Sequence, residues 1–129
     1  MKSLSWVIGE ILLVFVLLSL PGSNFSQHPG WMDLVHFDKL IHMGLFGSLA
    51  LSLFVHFEFS KLSFLKSIRA KALTLILCTL YGIAMEYYQK YFVPTRGFEV
   101  ADMLADAVGA LLALPLFMIL RKNILSSFS

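Results

Sequence analysis

The chain has 129 residues, of which 58% are hydrophobic and 14% charged, with a formal net charge of +2 and a mean hydropathy of +0.80. An ordinary soluble domain carries about 25% charged residues, so this composition excludes that class and places the chain in a bilayer. The small positive balance is gathered mainly in a few loops, which removes it as a signal for nucleic acid.

A hydrocarbon core of about 30 Å needs about 20 mainly apolar residues per helix, and four stretches approach that length. The first runs from about Leu4 to Leu20. A cleaved secretory signal is the competing reading, because Lys2 precedes an apolar run that ends at Pro21 and Gly22. The run is long for such a signal, Glu10 interrupts it, and no small-x-small cleavage site follows, so a retained helix is preferred. The outer loop after it holds His28 and His36, expected to be solvated, and Asn24 in "NFS", a glycosylation pattern of little meaning in a bacterium.

The second stretch runs from about Leu40 to Phe57 and the third from about Ala72 to Tyr88. Between them lies "KLSFLKSIRAK", read as a topogenic loop in preference to an interfacial turn on anionic lipid. The fourth stretch runs from about Val100 to Leu120. All four are continuous in apolar residues and too long for barrel strands. The expected fold is therefore all-α: a single-domain integral membrane bundle of four transmembrane helices spanning 1–129, with no separate soluble domain.

Lys and Arg in short loops are retained on the cytoplasmic side. Lys2, Lys61, Lys66, Arg69, Lys71, Arg121 and Lys122 fall on one side and Lys39, Lys90 and Arg96 on the other, so both termini are expected in the cytoplasm. Trp31, Tyr87, Tyr88, Tyr91 and Phe92 then form an outer aromatic belt, with Trp6 at the inner boundary. Cys78 is alone and cannot form an intramolecular disulfide. The six methionines read as gap fillers. There is no repeat, phosphate loop or paired-cysteine motif.

The polar residues within this topology gather at the outer side. Asp38, Lys39 and His42 open the second helix, Glu86 and Gln89 close the third, Arg96 follows in the loop, and Asp102 and Asp106 open the fourth. Asp106 lies about 9 Å along its helix. Asp38 and His42, Glu86 and Gln89, and Asp102 and Asp106 are each spaced to share a helix face. Charge inside a membrane costs roughly 2.5–3.5 kcal/mol at the centre, so these faces are expected to turn inward. Two lines of small residues offer close packing: Ala101, Ala105, Gly109 and Ala113 on helix four, and Gly44, Ser48 and Ser52 on helix two. Glu10 lies away from this cluster and is expected either to snorkel or to pair with a basic loop residue.

These residues resemble the VanZ-like membrane proteins. The likeness runs through "DKLIH" (Asp38, Lys39, His42), "GIAMEYYQ" (Gly82, Glu86, Gln89), "VPTRG" (Arg96) and "DMLADAVGA" (Asp102, Ala105, Asp106, Gly109), and covers roughly residues 30 to 115. Each piece is short, but their order and spacing make the likeness specific. The family usually shows Asn where this chain has Asp106 and Gly where it has Thr95. The resemblance implies a small multi-helix protein of the bacterial envelope, in a family named for a member linked to teicoplanin resistance, and brings no settled reaction.

Two carboxylates close together in a low dielectric cannot both ionise cheaply. A proton, pairing with Arg96 or Lys39, or a divalent cation held with Glu86 and His42 could relieve them. No ligand spacing selects a metal, and no cofactor is indicated. Two classes of function follow. In the first, Asp38, His42, Glu86, Asp102 and Asp106 supply acid and base while Lys39, Gln89 and Arg96 bind the polar head of an envelope lipid or glycopeptide-related ligand. In the second, the cluster only fixes helix register in a scaffold that recruits another envelope protein. A proton or ion carrier fits less well, since helices three and four lack a matching inner set.

Overall fold

The computed structural model describes residues 2–21 and 37–128. Among them lie four α-helices and no strand: α1 (Lys2–Leu18), α2 (Phe37–Glu58), α3 (Ile68–Phe92) and α4 (Val100–Phe128), with a short 3-10 turn at Ser63–Lys66. Asn24, His28, Trp31 and His36 lie outside the described residues. The segments Phe37–Glu58, Ile68–Phe92 and Val100–Asn123 are long and apolar enough to cross a membrane, and α1 is a shorter apolar helix. At 1.5 Å per residue, the 17 residues of α1 extend about 26 Å.

The helices run past most of the expected ends because polar residues there complete the terminal turns. Asp38 occupies the first turn of α2, where the positive end of the helix dipole favours a carboxylate. Ser67 caps α3, its hydroxyl accepting from the Ala70 N–H at 3.3 Å. By contrast α1 stops early, since Pro21 disfavours helical backbone at the preceding residue. Pro115 sits inside α4, which neighbouring helices tolerate at membrane depth.

The helices share one core of Val14, Leu18, Phe46, Leu49, Ala50, Phe54, Cys78, Met85, Ala110, Ala113 and Phe117. Outward they present exposed large apolar side chains such as Leu12, Val16, Ile76, Leu80, Leu104 and Leu111. That inversion suits a lipid surround, in which apolar exposure has no cost. The tyrosine and phenylalanine belt at the end of α3 is exposed at Tyr87, Tyr91 and Phe92, as is Trp6 on α1.

The most extensive contact joins α2 and α4. They run parallel in nearly constant register: Lys39 meets Asp102 63 residues on, His42 meets Asp106 64 on, and Arg121 meets Glu58 63 back. Phe54 and Phe117 meet one turn before the Glu58–Arg121 pair, with ring centroids 5.6 Å apart. The close approach rests on glycine. A methyl group at Gly109 would overlap the Met43 backbone, and one at Gly47 would lie 3.1 Å from the Gly109 carbonyl oxygen. Of the two small-residue lines expected from sequence, Ala105, Gly109 and Ala113 are buried while Ala101 is exposed. On α2 the closely packed face carries Met43 and Gly47; Gly44 has nothing within 4 Å. The Gly44 line therefore marks a different face from the one that meets α4.

The other seams are hydrogen-bonded. On α1, Ser3 meets His56 of α2 at 3.1 Å, and Glu10 accepts from the Ser48 hydroxyl at 2.8 Å. Glu10 thus bonds to a neighbouring helix rather than to a basic loop residue. Along α1 and α3, the Tyr81 hydroxyl donates to the Ile11 carbonyl at 3.1 Å and Phe15 packs on Tyr88 with centroids 5.2 Å apart.

Two predictions follow from backbone sterics. Gly109→Ala will lower stability in detergent by about 1–3 kcal/mol, Gly47→Ala by less, and Gly44→Ala hardly at all; thermal unfolding that ranks the three otherwise would refute this crossing. Thr95 holds a left-handed φ of 63°, costly for a β-branched residue. Thr95→Gly is expected to raise stability by about 1 kcal/mol, measured in the same way.

Candidate functional site

Seven of the eight residues singled out from sequence converge in one array of interactions at the end of the bundle where α2 and α4 begin and α1 and α3 finish, and the eighth, Gln89, lies beside it. The array is graded in depth. Glu99 and Asp38 stand at the rim, with side chains 56% and 37% exposed. Beneath them lies Lys39, whose ammonium donates to Glu99 Oε2 at 2.7 Å and to Asp102 Oδ1 at 2.8 Å. Deeper still, Asp102 Oδ2 lies 3.8 Å from His42 Nε2.

His42 and Asp106 form the fully buried floor, 2.8 Å apart between Nδ1 and Oδ1. A carboxylate accepts, so Nδ1 carries the hydrogen and Nε2 is turned toward Asp102. This fixes the ring orientation and leaves the outward nitrogen able to take a proton or ligate a cation. Space for Asp106 comes from α3: a methyl at Gly82 would lie 2.6 Å from Asp106 Oδ2.

Three of the expected ligand-facing residues are engaged by the chain itself. Gln89 is buried and donates its amide to the Leu18 carbonyl at 2.9 Å, satisfying one of the orphan carbonyls that close α1. Arg96 donates to the Leu20 carbonyl at 3.1 Å and lies 3.4 Å from Asp38. Glu86 Oε2 accepts from the Glu99 backbone N–H at 3.0 Å, anchoring the residue that precedes α4. Lys39 and Arg96, expected to meet anionic groups of a ligand, are faced by carboxylates of this chain.

Two participants were not singled out from sequence. Glu99 precedes α4, its carbonyl accepting from the Asp102 N–H at 3.1 Å, and its carboxylate pairs with Lys39. Its position before "VADML" was the available signal. At the opposite end of the seam, buried Glu58 accepts from the Arg121 guanidinium at 2.9 Å through Nε, with a further contact through Nη2. No spacing within either helix betrays that pair.

Several buried polar atoms of the array have no hydrogen-bond partner among the described residues: His42 Nε2, Glu86 Oε1 and Asp106 Oδ2. Asp38, His42 and Asp102 each offer a ligand atom, and these atoms all lie within 4.8 Å of one another. The array can therefore position a small polar group or cation against His42, beneath a charged rim.

The VanZ/LLP1 family model matches residues 4–121, and the chain belongs to that family. Together with three helices suited to crossing a bilayer, this makes it a VanZ-family multi-pass membrane protein. No curated protein and no solved structure matches it.

The floor gives a further prediction. Asp106→Asn keeps an acceptor for His42 Nδ1–H and should change stability by less than about 1 kcal/mol, whereas Asp106→Leu strands a buried donor at a cost of about 1–3 kcal/mol. Equal unfolding temperatures for the two variants would refute the assigned His42–Asp106 bond.

Proposed function

We propose that this end of the bundle binds the head of an envelope lipid or a related amphiphile at the extracytoplasmic face, with His42 able to act on it as acid or base. The observation that carries this reading is a polar cluster followed, one turn along α2, by an apolar groove that begins at Met43. Lys39, Met43 and Gly47 share one face of α2 by their four-residue spacing. Directly below the Lys39–Asp102 pair, Met43, Gly44, Gly47, Leu51, Leu112 and Leu116 line an open groove of about 410 Å³. A head group at the mouth and an acyl chain along the groove would match that sequence of surfaces.

The distribution of basic residues supports the extracytoplasmic side. Lys61, Lys66, Arg69, Lys71, Arg121 and Lys122 lie toward the end opposite the polar mouth, which the positive-inside rule keeps in the cytoplasm. In this reading α1 is the fourth span of a single bundle with both termini inside. Its support is that α1 runs alongside its neighbours from Ser3 beside His56 to Leu18 beside Gln89. Teicoplanin resistance enters only as an expectation carried by the family's name.

A scaffold role is the second reading, favoured by Gln89, Arg96 and Glu86 bonding backbone groups at the ends of α1 and α4. The two readings separate at Gly44, where an added Cβ meets nothing within 4 Å and a longer side chain has the open groove to enter. Gly44→Leu fills the groove and is expected to weaken capture of a photoactivatable phospholipid by about tenfold, equivalent to about 1.4 kcal/mol. Labelling equal to that of the unsubstituted chain would favour the scaffold.

Orientation is tested separately with an impermeant maleimide. The native Cys78 is buried and should stay unlabelled. Gly97→Cys should react in intact cells and Ser60→Cys only after permeabilisation; the reverse pattern would place the mouth in the cytoplasm.

A further inference from the structure

We propose that Asp38, His42 Nε2 and Asp102 form a binding site for one divalent transition-metal ion, of the Zn²⁺ or Mn²⁺ class, at the polar mouth. The site deepens the reading above by naming what would attract an anionic head group, yet the ion can be tested without any lipid.

Three independent observations point to a cation. First, His42 is completely buried, and its Nε2 has no hydrogen-bond partner among the described residues although it faces Asp102 Oδ2 at 3.8 Å. When Nε2 is unprotonated, it and the carboxylate oxygen are two acceptors facing each other, an arrangement that a cation between them relieves. Second, the other ring nitrogen is held by Asp106 at 2.8 Å. Metal-bound histidines commonly donate their remaining N–H to a carboxylate, which fixes the tautomer and raises the basicity of the ligating nitrogen. Third, carboxyl groups outnumber basic ones here among the described residues: Glu99 and Asp102 face Lys39, Asp38 faces Arg96, Asp106 faces His42, and Glu86 bonds a backbone N–H. A divalent ion offsets most of that excess in a medium where unpaired charge is costly.

The geometry needs only a small adjustment. Ligands about 2.1 Å from a tetrahedral ion sit roughly 3.4 Å apart, against the 4.8 Å limit that encloses the three atoms here. Lys39 holds Asp102 Oδ1 and leaves Oδ2 turned toward His42. Asp38 is at the half-open rim, and its 3.4 Å contact with Arg96 is long for a hydrogen bond, so rotation of its side chain can close the triad. Glu86, considered from sequence as a ligand, bonds the Glu99 N–H instead. One nitrogen and two carboxylates suit Zn²⁺ or Mn²⁺. Three protein ligands leave a coordination position open toward the mouth, where an oxygen of a phosphate-bearing head group would fit.

The test uses the full chain in detergent, stripped with a chelator, desalted and titrated with Zn²⁺ and with Co²⁺. Metal analysis should find about one equivalent per chain, and Co²⁺ should develop ligand-field absorption bands. His42→Ala removes a buried side chain, so Asp38→Asn at the rim carries the decision: its affinity should fall at least about tenfold, and Asp106→Asn should weaken binding by about 10–100-fold. His56→Ala, at the opposite end of α2, should bind as the unsubstituted chain does. Absence of stoichiometric uptake, or unchanged affinity in Asp38→Asn, overturns the proposal. Lipid capture by stripped protein that takes up no ion would sink the metal site and spare the lipid reading; ion uptake with no lipid capture would do the opposite.

Discussion

The backbone contact between Gly109 of α4 and Met43 of α2 sets the arrangement of everything around it. Between membrane helices there is little hydrophobic force, because lipid tails are as apolar as the side chains they would replace. Association depends instead on packing and hydrogen bonds, both of which require the axes to come close. With glycine at 47 and 109, the two helices run side by side in register, and that register delivers His42 to Asp106 and Lys39 to Asp102 one turn above. The third helix contributes by omission, since Gly82 leaves the volume that Asp106 occupies. The buried polar floor is thus a consequence of three glycines on three helices.

Much of the architecture was legible because a bilayer demands long apolar runs, and those runs begin or end with polar residues at helical spacing. The gathering of Asp38, His42, Glu86, Asp102 and Asp106 at one end followed from their depth along the chain. Pairings across helices were less accessible. That Gln89 would bond Leu18, or Glu86 the backbone of Glu99, depends on where α1 ends relative to α3, which no local pattern encodes. The small-residue line on α2 was misread for a related reason. Gly44, Ser48 and Ser52 share one face, but contact is decided by the partner's position, and α4 meets the adjacent face through Met43 and Gly47.

The two positions where the chain departs from its family's usual residues can now be compared. Thr95 occupies a left-handed conformation that glycine reaches without steric cost, so the family's usual glycine has a direct backbone reason and threonine here carries strain. Asp106 is different. An asparagine there could still accept from His42 Nδ1–H, so geometry alone does not call for a carboxylate. What the carboxylate adds is charge, placed behind the imidazole where it makes Nε2 a stronger base or ligand.

The two ends of the α2–α4 seam make the same point by contrast. At one end Glu58 and Arg121 are matched one to one, an acid against a base, and that pairing suffices to hold register. At the other, among the described residues, carboxyl groups outnumber the basic side chains, and a fully buried imidazole nitrogen has no hydrogen-bond partner. A lock has no use for surplus charge, which weakens it by repulsion and desolvation. Buried polar groups in excess at a membrane boundary are what the proposed binding reading expects, and what a pure lock does not. In the proposed reading, carboxyl groups and an imidazole nitrogen are Lewis bases, so what they would receive is electrophilic: a proton, a metal ion, or a ligand that brings one with it.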